Sequence, residues 1–245
     1  MNKIIKCIPN TLTCTSLFFG CLSVLHSIGG DFLGAMVCIL IGAVFDFSDG
    51  FAARALKAQS AIGKELDSLA DQVSFGVAPG FAMFFWMKTH SCATCEYIPY
   101  LAFMIPAFSA LRLAKFNIDE RQTSSFIGLP TPANAIFLSS LIATADILCK
   151  DETINCFTEL CSSPLAMAII TVVTSLLLVA EFPMFSLKFK HFSWQGNEKK
   201  FILIAFAIVS VIVFSIIGIP FAAAFSTILF YIGVCAVDFF GVKKG

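Results

Sequence analysis

The chain has 245 residues, 58% of them hydrophobic and only 13% charged, with a net charge of zero and a mean hydropathy of +0.89. Soluble domains run nearer half apolar and a quarter charged, so a water-soluble globular unit is excluded. The balanced charge gives no sign of a nucleic-acid partner. The apolar residues fall in long uncharged blocks such as Phe201 to Ile219, long enough to cross a bilayer as helices. The expected architecture is all-α, a polytopic membrane helix bundle forming a single domain over residues 1–245.

In chain order, spans are predicted at about 11–28, 32–56, 63–87, 97–114, 131–149, 164–182, 201–218 and 221–241. Gly29-Gly30 and Gly218-Ile219-Pro220 read as tight turns between neighbouring spans. Pro9, Pro99, Pro130, Pro132 and Pro164 stand near helix starts, where the missing N–H is tolerated. Met1 to Pro9 is short and basic, but no small-residue cleavage site follows Thr11–Ser27. The first helix is therefore expected to remain as a span.

Lys and Arg orient the bundle. With the N-terminus inside, the inner segments hold Lys3, Lys6, Arg54, Lys57, Lys64, Arg112, Lys115 and Arg121, then Lys188, Lys190, Lys199, Lys200, Lys243 and Lys244. Only Lys88 and Lys150 fall outside. This asymmetry predicts that both termini are cytoplasmic and that the chain sits in the cell (inner) membrane. Of the ten cysteines, Cys92, Cys95, Cys149, Cys156 and Cys161 gather at the two longer outer loops. At least one disulfide is expected among them. His26, His90 and His191 show no metal-ligand spacing and read as structural.

The chemistry is concentrated between Asp46 and Asp71. Asp46 and Asp49 are three apart, Asp67 and Asp71 four apart, so each pair shares a helix face. The two helices are consecutive and antiparallel, so the pairs can face one cleft at the cytoplasmic edge. An Asp at the centre of a spanning helix costs about 2.5–3.5 kcal/mol on insertion scales, and four facing carboxylates also repel. Protonation or cations relieve such a cluster, and hard divalent ions prefer oxygen ligands. Gly50 and Gly63 allow close approach of a ligand. Arg54 suits phosphate oxygens, and Ser60 in the link can donate a hydrogen bond.

Asp46-x-x-Asp49-Gly50-x-x-Ala53-Arg54 followed by Gly63-x-x-x-Asp67-x-x-x-Asp71 resembles the full signature of the CDP-alcohol phosphatidyltransferases. Ile8-Pro9-Asn10-Thr11-Leu12-Thr13, Asp67 to Pro79, Phe126 to Ala133 and Pro183 to Lys188 are similar to segments of the family's CDP-diacylglycerol–serine branch. Gln72 departs from the apolar residue expected at its place.

The resemblance implies transfer of a phosphatidyl group from CDP-diacylglycerol to the hydroxyl of L-serine, with release of CMP. It implies two divalent ions, Mg²⁺ or Mn²⁺, held by Asp46, Asp49, Asp67 and Asp71, with Asp71 as general base. Asn10, Gly50, Arg54, Ser60 and Gly63 would hold the CDP-lipid. Ser74, Arg112, Lys115 and Asn117 are candidates for the serine pocket. A homodimer in the lipid bilayer is a family expectation. The competing readings are another acceptor, glycerol 3-phosphate or inositol phosphate, and a cation transporter.

Overall fold

The computed structural model describes residues 3–91, 95–118, 125–152, 155–185, 194 and 197–242. Cys92, Arg121, Lys188, Lys190, His191, Lys243 and Lys244, all used above, lie outside the described residues. The fold is an all-α membrane bundle. Among the described residues six helices are long and apolar enough to cross a membrane: Cys7–Ile28, Phe32–Ala55, Ile98–Ile118, Thr131–Lys150, Glu198–Ile217 and Ala222–Phe239. A seventh arises if the pair Cys156–Ser162 and Pro164–Val179, bent by 78°, counts as one span. Eight spans were expected. The difference is the stretch predicted at 63–87, which is helical but carries Lys64, Glu65, Asp67 and Asp71 in its inner half.

Helix α1 (Lys3–Ile28) starts earlier than the hydropathy suggested and runs through Pro9. Proline's fixed φ suits a helix, and the loss is one backbone hydrogen bond. Helix α2 (Phe32–Ala55) begins at Asp31, whose Oδ1 accepts from Gly34 N at 2.9 Å. That amide, with His26 Nδ1 at 2.8 Å from Oδ2, holds the exposed Asp31 carboxyl below the usual carboxylate range. The other end of α2 closes through Ala58 N to Ala53 O and Lys57 N to Arg54 O. Lys57 takes the left-handed position (φ 52) that this closure requires.

The next rod changes character along its length. Helix α3 (Ala61–Asp71) passes into a π-helical segment, Gln72–Val77, and then into α4 (Ala78–His90). A π turn adds a residue to the helix. It rotates everything beyond it by about 100° relative to an uninterrupted α-helix. The carboxylate face of α3 is thereby uncoupled from the apolar faces of α4.

The π segment is braced on both sides. Ser74 Oγ donates to Ser16 O of α1 at 3.0 Å, and Gln72 Nε2 donates to Pro106 O at 2.9 Å. Pro106 belongs to α5 (Met104–Ile118), which continues a 3₁₀ segment, Ile98–Phe103. A Cβ added at Gly20 would come within 2.6 Å of Ser74 Oγ and 2.8 Å of Ser74 Cα. Backbone cannot retreat as a side-chain tip can. Gly20→Ala is therefore expected to lower stability by about 1–3 kcal/mol. A thermal melt in detergent unchanged from wild type would contradict this close crossing.

Helix α6 (Thr131–Lys150) is the most buried span and packs against α2, α4 and α10 (Ala222–Val242). Its start is set by a two-stranded antiparallel ladder, β1 (Ser125–Ile127) on β2 (Pro183–Phe185). Gly128 follows with φ 77, so close to α8 (Pro164–Val179) that a Cβ would sit 2.6 Å from Leu178 O. Gly128 N and Leu129 N donate to Phe182 O and Leu177 O, both at 2.9 Å. This anchorage fixes where Thr131 enters the bundle.

The apolar core lies towards the other end, around Met83, Trp86, Met87, Ile105, Leu138, Ile142 and Met167. Trp86 Nε1 donates to Cys161 O at 2.7 Å, fastening the short α7 (Cys156–Ser162) beneath α8. Cys149, Cys156 and Cys161 are free thiols, and Cys161 is buried. That removes these three from the disulfide expected on the outer face. Helix α9 (Glu198–Ile217) packs chiefly on α10 and exposes Ile204, Ile208, Val209, Ile212 and Ile216, a surface suited to lipid.

Candidate active site

Three of the four aspartates meet. Asp46 and Asp49 on α2 and Asp67 on α3 each place an oxygen within 4.8 Å of the others. Asp71 stands outside that trio and interacts electrostatically with Asp46. Asp71 Oδ1 is buried and has no hydrogen-bond partner among the described residues. Every donor in this group is a carboxylate oxygen, which fits a hard divalent cation rather than a soft one. An orphaned carboxylate oxygen in a buried acidic cluster is explained by the same fit.

Asp49 is the most buried of the four, 5% exposed, and accepts a hydrogen bond from Thr13 Oγ1. Thr13 is the residue that sequence reasoning missed. It was quoted in the resemblance of the first span, but a threonine in an apolar helix has an ordinary packing role. The only available signal was its place four residues after Pro9, whose carbonyl lies 3.1 Å from Thr13 Oγ1. Partners that orient metal-ligand groups typically contribute 10–100-fold to affinity or activity. Thr13→Val is therefore expected to weaken Mn²⁺ binding by about that factor, while Thr13→Ser restores it. Mn²⁺ titration followed by electron paramagnetic resonance checks both variants.

Beside the carboxylates lies a cavity of about 570 Å³, bounded by α1, the end of α2 and the start of α3. Asn10, Gly50, Arg54, Ser60 and Gly63, all named above for the CDP-lipid, line it together with Asp49 and Asp67. Thr13, Gln59 and Lys64 line it too and were not named for that role. Ser60 is the N-cap of α3, its Oγ accepting from Gly63 N at 3.1 Å, which leaves its hydroxyl proton available to a ligand. A Cβ at Gly63 would come 3.0 Å from Ser60 Oγ and 3.2 Å from Asn10 Oδ1. Glycine keeps this wall open. Arg54 is exposed at the mouth, so its guanidinium is free to meet an incoming phosphate.

The four serine-pocket candidates separate. Arg112 is buried (7% exposed), feels the charge of Asp71, and donates from Nη1 to Thr131 Oγ1 at 2.8 Å. Ser74 is fully buried and its hydroxyl is committed to α1. Asn117 Nδ2 donates to Ser68 Oγ at 2.9 Å, and its carbonyl accepts from Lys64 Nζ at 3.3 Å, which ties α5 to α3. Lys115 is exposed. Of the four, Arg112 is the buried cation that interacts electrostatically with Asp71. The histidines stand apart, His26 on Asp31 and His90 Nδ1 on Trp86 O at 2.9 Å.

The sequence pattern of CDP-alcohol phosphatidyltransferase matches residues 6–187, which include every group of this site. The chain belongs to that family. It is 34% identical over 194 residues to a CDP-diacylglycerol–serine O-phosphatidyltransferase of Bacillus subtilis, covering 78% of this chain and 94% of that protein. A Helicobacter pylori protein of the same name is 36% identical over 132 residues, 53% of this chain and 54% of that one. An archaetidylserine synthase of Methanothermobacter thermautotrophicus is 34% identical over 140 residues, 56% of this chain and 58% of that protein. The chain thus spans about half the length of the Helicobacter relative. These family members share a serine-derived product or acceptor in their names.

Proposed function

We propose that this protein transfers the phosphatidyl group of CDP-diacylglycerol to the hydroxyl of L-serine, releasing CMP. The observation that carries the reading is a cavity furnished for a nucleotide pyrophosphate at a carboxylate cluster that also interacts with a buried guanidinium. On one side, Arg54, Asn10, Ser60 and the open wall at Gly63 suit a nucleotide pyrophosphate. On the other, Asp71 interacts electrostatically with Arg112, the only buried basic side chain among the described residues. One buried cation matches one carboxylate. A phosphorylated acceptor, such as glycerol 3-phosphate or inositol phosphate, would call for a denser basic patch.

In this reading Asp46, Asp49 and Asp67, with Asp71, hold two divalent ions, Mg²⁺ or Mn²⁺. When bound, these ions neutralise charge on the pyrophosphate and on the departing CMP. The Asp71 carboxylate takes the proton of the serine hydroxyl. The serine oxygen then bonds to the phosphorus that carries diacylglycerol, and the phosphoanhydride bond to CMP breaks. Arg112 orients the serine carboxylate so that the hydroxyl reaches Asp71. Arg54 and Ser60 grip the nucleotide phosphates, and the acyl chains lie in the bilayer beside α1 and α2. The reaction then takes place at the cytoplasmic face of the cell membrane, on a catalytic unit spanning residues 1–245.

The test is CMP release by the purified protein in detergent with CDP-diacylglycerol and Mn²⁺. L-Serine is expected to drive release, and chelation to stop it. Turnover with glycerol 3-phosphate or inositol phosphate but not with serine would sink the serine assignment and keep the reaction class.

A further inference from the structure

We infer that Asn134 on α6 is a specificity-determining residue of the acceptor pocket, where it holds the ammonium group of an amino-acid alcohol. This rests on the serine reading above. Asn134 is fully buried, at 0% exposure, and neither Oδ1 nor Nδ2 has a hydrogen-bond partner among the described residues. A primary amide carries two donors and an acceptor, and burying all of them unmet is costly. Native folds satisfy such groups, so an unmet one asks for the ligand that completes it.

Its position says which ligand. Asn134 lies three residues after Thr131 on α6, so the two share a helix face. Thr131 accepts from Arg112 Nη1 at 2.8 Å, while Arg112 Nε has no partner. Ser109, one turn from Arg112 on α5, has an unpartnered buried hydroxyl as well. Arg112 in turn feels Asp71, whose Oδ1 is unpartnered. Unmet groups on three neighbouring elements therefore run from the end of α3 across α5 to α6.

They correspond to the three polar groups of a β-hydroxy α-amino acid. Asp71 takes the hydroxyl and Arg112 the carboxylate. An oxygen acceptor is then needed for the ammonium, and Asn134 Oδ1 supplies it. Its neutrality matters as well. A second buried carboxylate beside Asp71 would add repulsion, and a base there would reject the ammonium.

The experiment uses the full chain in detergent with CDP-diacylglycerol and Mn²⁺. It compares L-serine with 3-hydroxypropanoate, which keeps the hydroxyl and carboxylate but lacks the ammonium. Where the analogue is not turned over, its inhibition constant replaces kcat/KM. Asn134→Leu, similar in size and apolar, is expected to shrink the preference for serine by about ten- to a hundredfold.

Stability supplies an independent readout. Because the amide makes no bond within the described fold, Asn134→Leu is expected to melt no lower than wild type. A fall of more than about 4 °C would mean a structural partner and overturn the inference. So would a preference in Asn134→Leu within about threefold of wild type, in an enzyme that turns over serine normally. If wild type itself released no CMP with serine, the proposed reaction would fall first and take this inference with it.

Discussion

Asp71→Asn is expected to lower kcat for CMP release by about 10²–10⁴-fold, the usual contribution of a positioned general base. The loss should fall on kcat rather than on the KM for CDP-diacylglycerol, because the cavity proposed for the nucleotide is lined by other residues. Asparagine keeps the shape of the side chain and removes one charge from a crowded acidic cluster, so folding should not suffer. Asp46→Asn, Asp49→Asn and Asp67→Asn should strike ion binding harder than Asp71→Asn does. Each removes a carboxylate from the trio whose oxygens lie within 4.8 Å of one another. Activity should be abolished at ordinary Mn²⁺, with tight ion binding lost in the same titration. If Asp71→Asn kept near-normal turnover while the trio variants did not, Asp71 would be a bystander and the proton acceptor would lie elsewhere.

Arg112→Ala is expected to raise the KM for serine by about ten- to a hundredfold, the worth of one charge-assisted hydrogen bond to a carboxylate. The KM for CDP-diacylglycerol should barely move, since Arg54 and the carboxylates are the groups proposed for that substrate. The substitution also removes the bond to Thr131, so a melt must accompany the kinetics. Lys115→Ala is the matched control. Lys115 lies three residues further along α5 and is exposed, so its serine KM should stay within about threefold of wild type. Equal effects from the two variants would show that general positive potential, rather than a placed guanidinium, attracts serine. No effect from either would move the serine carboxylate to another part of the chain.

The class of fold was legible because bilayer length and hydropathy are local properties. Uncharged blocks such as Phe201 to Ile217 become spans whatever their neighbours do. The carboxylate pairs were legible for a similar reason. Three- and four-residue spacings place Asp46 with Asp49 and Asp67 with Asp71 on one face of any α-helix, and a short link makes the two helices neighbours. Gly50, Arg54 and Gly63 of that signature line one cavity, together with Asn10 of the first span and Ser60 of the link.

What local pattern cannot carry is the rotation of one helix against another. The π turn at Gln72–Val77 alters that rotation by one residue, and nothing in the spacing of Asp71 and Ser74 announces it. It leaves Ser74 bonded to Ser16 on α1 and Gln72 bonded to Pro106 on α5. Thr13 reaches Asp49 across 36 positions of chain, and Arg112 reaches Thr131 only because Gly128 seats the start of α6 on the end of α8. Such contacts are set by close packing of whole helices, where a shift of one turn exchanges every partner. Composition and spacing thus establish the membrane bundle and its four aspartates. Which side chains surround the fourth one is a property of the packed molecule, because only packing sets the rotation and depth of each helix.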